Sequence, residues 1–478
     1  MFRGFVPYRD LFDQKGIFLY TIYGIASLIS STTFLGVYIF EVLAATFVCV
    51  GLLRIIQLFL RSDVVPFFMM PFAALAIYTS KCYYWGGSAE EFLFPFIVWG
   101  LYLSLCHFRM TYPETMPYRT VLLGGVLAGC VFHIKFNSLG FFFAWMAMVF
   151  FGDIIGCGIS AVKKAFISCF VFLMGMAATF IPGIIYFGVN SAIDDWYRVY
   201  IYKNVFEYSK RMSLGERLYK IWDIMTDHFY DNKFVYLTIF VGALYFTVAL
   251  ISSLISEDRY KLVKRDIVLL PLKIIEFVNI AALLLFLILV IFIGGVSITY
   301  YPFPINAFAV FGPIAVGYVI EGLYKHLSRE EFGELTSAFG FVSIFGALLI
   351  TGVLSYLVSP NVPSMKLKRD DIWLYKFRDY ILESGIENPG ILNEHGFDAG
   401  LYTVTDTVPI CYYYQTQTLN IDEVLALQTS YSRNGTADFV LSINRTADGV
   451  DDYEIVLRED FVTPDAEVTY FLYQKKSE

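Results

Sequence analysis

Charge is what this sequence lacks. Only 16% of its 478 residues are Asp, Glu, Lys or Arg, while 57% are hydrophobic and the mean hydropathy is +0.60. A soluble domain carries about 25% charged residues. This chain therefore has too little charge to cover a water-facing surface, which excludes a cytosolic globular enzyme. Its net charge of −8 repels phosphate backbones and excludes a nucleic-acid binder. Cysteine is sparse in polar regions: Cys49, Cys82, Cys106, Cys130, Cys157 and Cys169 fall in or beside apolar stretches, and only Cys411 sits among polar residues. No disulfide framework is implied. Internal repeats are lacking as well, and charges gather at the ends of the apolar runs rather than within them; both features weigh against an alternating-access carrier.

What is present is a series of long apolar runs. A membrane helix needs about 20 apolar residues, and ten stretches qualify as candidates: about 36–60, 64–82, 91–107, 119–134, 137–154, 165–188, 234–256, 272–294, 303–325 and 336–358. An eleventh, Gly16 to Thr32, carries Tyr20, Thr21, Tyr23, Ser27, Ser30 and Ser31 and suits a helix lying along the interface. If it does not span, the inner loops collect Arg54, Arg61, Arg109, Arg119, Lys163, Lys164, Arg259, Lys261, Lys264, Arg265, Lys325 and Arg329. The short outer loops then hold little beyond Lys81 and Lys135, as the positive-inside rule asks. The long outer loop 190–232 is the exception, with Arg198, Lys203, Lys210, Arg211, Arg217 and Lys220. After about Ser359 there are 10 basic against 20 acidic residues, a shift that marks a domain boundary. Three parts are thus expected: 1–32 as an outer loop and interfacial helix, 33–358 as the transmembrane domain, and 359–478 as a small extracytoplasmic α/β domain. In that last part Ile372, Leu374, Phe377, Ile381 and Leu382 recur at helical spacing before Gly385, while ADFVLSI and VTYFLYQ read as strands. Asn434-Gly-Thr and Asn444-Arg-Thr match the glycosylation triplet, which is common by chance.

In this topology the outward-facing polar residues form a short list. The N-terminal segment supplies Tyr8, Arg9, Asp10, Asp13 and Lys15; the loop after the second span supplies Glu90 and Glu91; the turn HIKFN supplies His133, Lys135 and Asn137; the loop 190–232 supplies Asp227 and His228; the start of the ninth span supplies Tyr300 and Tyr301. Several have plain alternatives. Lys135 suits a snorkelling lysine, the two tyrosines suit an aromatic belt, and His228 beside Asp227 is either a solvated side chain or a metal ligand. The N-terminal cluster is harder to explain structurally, with two acids and two bases in seven residues before an apolar helix.

The string Gly4-x-x-Pro-Tyr-Arg-Asp-x-Phe-Asp-x-Lys-Gly16 resembles the first outer loop of the GT-C glycosyltransferases, the group that includes protein mannosyltransferases and the aminoarabinose transferases of lipid A. Glu90 and Glu91 in GGSAEEFLFPF, the KFN turn and the late Tyr-Tyr are similar to further motifs of that group. The resemblance implies an inverting transfer of a sugar from a polyprenyl-phosphate donor to an extracytoplasmic lipid, glycan or protein, by a multi-pass enzyme of the cell membrane. Lys15 and Arg9 would meet the donor phosphate. Asp10, Glu90 and Glu91 are the candidate catalytic acids, and Tyr8, Lys135, Asn137, Tyr300 and Tyr301 would contact substrate. Some relatives bind a divalent metal ion, for which Asp13 and His228 are the weak candidates here. Gln14 replaces the glutamate found before the lysine in the aminoarabinose type, which argues against a metal. In that group a span and an acidic residue precede the motif, so the resemblance also predicts about 30–80 further residues upstream, enough for one span. Three other functions compete: a transporter or flippase of lipid-linked sugars, a polysaccharide polymerase, and a non-catalytic membrane scaffold.

Overall fold

The structure, a computed structural model, describes residues 3–207, 212–255, 266–323, 329–397, 400–416, 421–463 and 466–476. Lys210, Arg211, Arg259, Lys261, Lys264, Arg265 and Lys325 of the charge argument lie outside the described residues. The chain is mostly helical. In order it forms α1 (Ile17–Ile29), α2 (Leu35–Phe59), α3 (Val65–Tyr78), α4 (Ala89–Cys106), α5 (Tyr118–Lys135), α6 (Gly140–Cys157), α7 (Val162–Ala178), α8 (Ile181–Val189) and α9 (Ile193–Trp196). There follow α10 (Leu214–Asp231), α11 (Lys233–Ile255), α12 (Asp266–Phe292), α13 (Phe311–Leu323), α14 (Arg329–Val358) and α15 (Trp373–Glu383). The C-terminal part adds β1 (Ile391–Glu394), α16 (Leu401–Val404), α17 (Ile421–Arg433), β2 (Phe439–Ile443), β3 (Tyr453–Val462) and β4 (Glu467–Lys475).

Among the described residues, eight helical stretches are long and apolar enough to cross a bilayer. The ten runs read from the sequence map onto them with two differences. The run at 64–82 contracts to the 14 residues of α3, about 21 Å of helix, because Ser80 and a 3₁₀ turn at Lys81–Tyr83 end it early. The runs at 119–134 and 137–154 join into one helical stretch, Tyr118–Cys157. It breaks direction at Lys135, whose backbone is extended at φ −160°, ψ 107°. The stretch read as a long loop at 190–232 is largely helical: α9, a π-helical run Tyr197–Glu207, and α10. Helix α10 starts on a capping box in which Ser213 and Glu216 satisfy each other's backbone amides, a signal that the charge-rich composition had masked.

Two compact units divide the chain. One holds residues 41–183 and 211–362; the other holds residues 1–40, 184–210 and 363–478. In the first, α5 and α7 touch backbone to backbone. A Cβ on Gly125 would lie 2.0 Å from the Phe172 carbonyl oxygen, and one on Gly175 would lie 2.3 Å from that of Leu122. Gly125-x-x-x-Gly129 is the small-residue spacing that lets apolar helices approach this closely. A polar clasp ties four segments of the same unit. Arg109 donates from Nη1 to Glu276 Oε1 at 3.0 Å, from Nη2 to Tyr318 Oη at 2.7 Å and from Nε to the Leu58 carbonyl at 2.8 Å. The pair is only partly buried, with Arg109 25% and Glu276 12% exposed, so stranding one side costs toward the low end of the range for a buried pair. Arg109→Ala should therefore cost about 3 kcal/mol, read as a lower melting temperature of the full chain in detergent, and Glu276→Gln should partly rescue it.

The second unit contains a four-stranded sheet of order β1-β2-β4-β3, with β1 and β2 parallel and the other pairs antiparallel. Helix α15 buries Trp373, Leu374, Phe377 and Ile381 against it, and Trp373 stacks on Tyr470 at 3.7 Å. Leu382, expected on the same face, is exposed. Gly385 ends the helical segment in the left-handed region at φ +71°, where glycine carries no Cβ penalty.

Candidate functional site

The first unit brings together residues from three separate sequence motifs. Helix α4 opens on Ser88, whose side chain caps it by accepting the Glu91 N–H at 3.2 Å. The cap fixes Glu90 and Glu91 in the first turn, both almost wholly buried. Phe303 leads into α13 and packs on Phe94 of α4 at 4.6 Å and on Tyr83 at 5.6 Å, which draws the neighbouring Tyr300-Tyr301 toward the same region. The extended backbone at the end of α5 presents Lys135. Its ammonium forms an ion pair with Glu90 Oε1 and sits 3.4 Å from the centre of the Tyr301 ring and 5.7 Å from that of Tyr300, within cation–π range. Lys135 is thus an internal counter-ion rather than a snorkelling lysine. Two buried acceptors around this pair, Glu90 Oε2 and Asn137 Oδ1, make no hydrogen bond among the described residues. A buried acceptor left empty costs free energy, so these oxygens are open to a donor that the described residues do not supply.

Glu91 is held differently. Its carboxylate accepts the Gly87 N–H at 2.9 Å and the Tyr83 hydroxyl at 3.2 Å. Glu41 of α2 accepts the same Gly87 N–H, so two carboxylates converge on one amide. Glu41 was missed from the sequence. The signal was there, since it is a lone carboxylate inside the 25-residue apolar helix α2, a placement that marks function by default.

The second unit holds the N-terminal motif, folded as a tight turn. Tyr8 adopts φ +72°, is 1% exposed, and donates its hydroxyl to the Lys15 carbonyl at 2.6 Å. Its ring packs among Tyr20, Phe187 and Tyr200, so Tyr8 serves the core of the turn instead of a substrate surface. Asp10 accepts the Val6 N–H at 2.6 Å and the Arg9 guanidinium at 2.8 and 3.0 Å. The hydrogen bonds from Arg9 hold the Asp10 carboxyl below the usual carboxylate range, which makes it a weak base. Arg9 also reaches the Asn190 carbonyl at 2.9 Å. Lys15 makes no side-chain hydrogen bond or ion pair among the described residues. It is the cation of this segment left for a ligand.

The two weak metal candidates each make hydrogen bonds to other groups. Asp13 spends its oxygens on the Gln14 N–H at 2.6 Å and the Tyr414 hydroxyl at 3.2 Å. His228 pairs Nε2 with Ser297 Oγ at 2.6 Å and stacks on Phe292. Neither belongs to a set of three ligating groups among the described residues. Burial keeps His228 below the ordinary histidine value, against the opposing pull of Asp231 and Asp227. Between that lowered value and about pH 6.5, the unfolded chain binds a proton that the folded chain does not. Stability therefore rises with pH across this window and is lost as pH falls through it. Melting near pH 5 should be lower than near pH 7.5, and His228→Gln should shrink the difference.

No family model, curated protein or solved structure matches this chain.

Proposed function

We propose that this protein is a membrane glycosyltransferase that moves a sugar from a polyprenyl-phosphate donor to an acceptor hydroxyl at the outer face of the cell membrane. The observation that carries the reading is the buried Glu90–Lys135 pair with the tyrosine faces beside it and two acceptor oxygens left empty. Three motifs that the resemblance singled out for one reaction meet there. An aromatic face beside a charged pair suits a sugar, whose C–H faces stack while its hydroxyls donate.

In the proposed step the acceptor hydroxyl attacks the anomeric carbon as the bond to the phosphate oxygen breaks, which inverts that carbon. The hydroxyl proton passes to Glu90, and the leaving polyprenyl phosphate keeps the bonding electrons. Lys135 offsets the negative charge that develops on it. Glu91 fixes the start of α4, while Asp10 and Arg9 belong to the turn of the other unit.

Membrane vesicles containing the protein, supplied with polyprenyl-phosphate sugars labelled in the sugar, test this directly. Transfer of label to an acceptor with release of unlabelled polyprenyl phosphate is expected. Movement of intact donor across the vesicle membrane, without release, would replace the transferase by a carrier.

A further inference from the structure

The C-terminal sheet carries a second constellation, unrelated to the proposed transfer. Strand β1 ends at Glu394, which stands opposite Ser442 in the parallel β1–β2 pairing. The chain leaves the strand through His395, held at φ +61°, a strained region for a residue with a Cβ. The segment after β2 turns back and brings Asp448 to the same place. One ligand atom from each of Glu394, His395 and Asp448 lies within 4.8 Å of the other two.

Two independent features separate this set from an ordinary polar cluster. His395 Nε2 lies 3.2 Å from both Glu394 Oε1 and Asp448 Oδ2, yet the buried nitrogen has hydrogen-bond geometry to neither. Its side chain is 5% exposed. The imidazole nitrogen thus lies between two carboxylates without a hydrogen bond to either among the described residues. Four ligands at about 2.0–2.1 Å around a tetrahedral ion are separated by about 3.3 Å, close to the spacing seen. Glu394 is also fully buried, and its Oε2 has no hydrogen-bond partner. A buried carboxylate with a vacant oxygen calls for a cation. The nearby Arg445 pairs with Asp448 at 3.0 Å, and among the described residues no lysine or arginine pairs with Glu394. Outer contacts orient the would-be ligands: Glu394 Oε1 accepts the Asp448 N–H at 3.1 Å and the Thr429 hydroxyl at 3.4 Å, the kind of support that metal ligands receive.

We propose that Glu394, His395 and Asp448 bind a divalent transition-metal ion of the zinc type, with one nitrogen and two carboxylate ligands and a fourth position open to solvent beside the half-exposed Asp448. The ion pins the segment after β2 to the end of β1 and neutralises Glu394. The test uses the full chain in detergent, stripped with a chelator and titrated with Zn²⁺ by calorimetry and with Co²⁺ by visible absorption. One equivalent should bind, raise the melting temperature, and produce a cobalt band without thiolate charge transfer. His395→Gln and Asp448→Asn should each weaken binding by about 10- to 100-fold or more. Asp448→Asn is the variant expected to fold normally, because its side chain is half-exposed, its amide oxygen can still accept from Arg445, and its backbone N–H remains. Absence of saturable binding by the folded wild-type chain, a thiolate band, or full affinity in Asp448→Asn would each overturn the proposal.

Discussion

Glu90→Gln should reduce sugar transfer by about 10²- to 10⁴-fold, the usual yield of a positioned general base, while the protein still inserts and folds but melts somewhat below the wild type, since Lys135 loses its counter-charge and keeps only the amide oxygen and the Tyr301 face. The amide keeps the shape of the side chain and can still accept from Lys135, but it takes no proton. Lys135→Met should behave differently. It leaves the Glu90 carboxylate buried at 1% exposure with no cation beside it, and stranding such a charge costs about 3–5 kcal/mol. That variant should be poorly folded as well as inactive. The double variant Glu90→Gln, Lys135→Met removes both charges at once, so its stability should return toward wild type while transfer stays lost. A purely structural ion pair would give the opposite pattern for the first variant, with full transfer by Glu90→Gln. Labelled-donor transfer in vesicles, read beside melting in detergent, separates the two roles.

The apolar architecture was legible because burial in lipid leaves a coarse signal: long runs with few charges survive any uncertainty in their ends. The strands ADFVLSI and VTYFLYQ became β2 and β4 for a related reason, since each is bounded by polar or small residues and rich in β-formers. β1 escaped notice because ILNE is only four residues long and buried on both faces, so no alternation marks it. Within the candidate site, the residue types were readable but their duties were not. Asp10 and Lys15 look equally free in sequence, yet one is consumed by Val6 and Arg9 and the other is left open. That distinction depends on a turn closed by Tyr8 in a left-handed conformation, which no pattern of charges announces. Lys135 reads as a surface lysine until Glu90, 45 positions earlier, is folded against it. His395 and its two carboxylates are spread over Glu394 to Asp448 with no ligand spacing to find.

Gly125→Leu should be the most damaging single substitution in the helical unit. The first atom it adds would fall 2.0 Å from the Phe172 carbonyl oxygen, a main-chain atom that cannot rotate away. Accommodating it requires α5 and α7 to separate, which opens the reciprocal contact at Gly175 and loosens Gly129, whose Cβ position lies 2.2 Å from Thr179 Oγ1. Overpacking a core usually costs about 1–3 kcal/mol when side chains can shift; here the obstacle is backbone, so the cost should exceed that range. Since α5 ends at Lys135, parting the two helices would also displace that ammonium from Glu90 and Tyr301, and the site should be lost with the packing. Gly346 of α14 supplies the control, because a Cβ there meets nothing within 4 Å. Gly346→Leu adds the same apolar bulk to an apolar helix and should leave melting unchanged. Size-exclusion profiles and melting of the two variants in detergent decide the matter: a Gly125→Leu protein as monodisperse and stable as Gly346→Leu would mean that the α5–α7 contact does not hold the helical unit together.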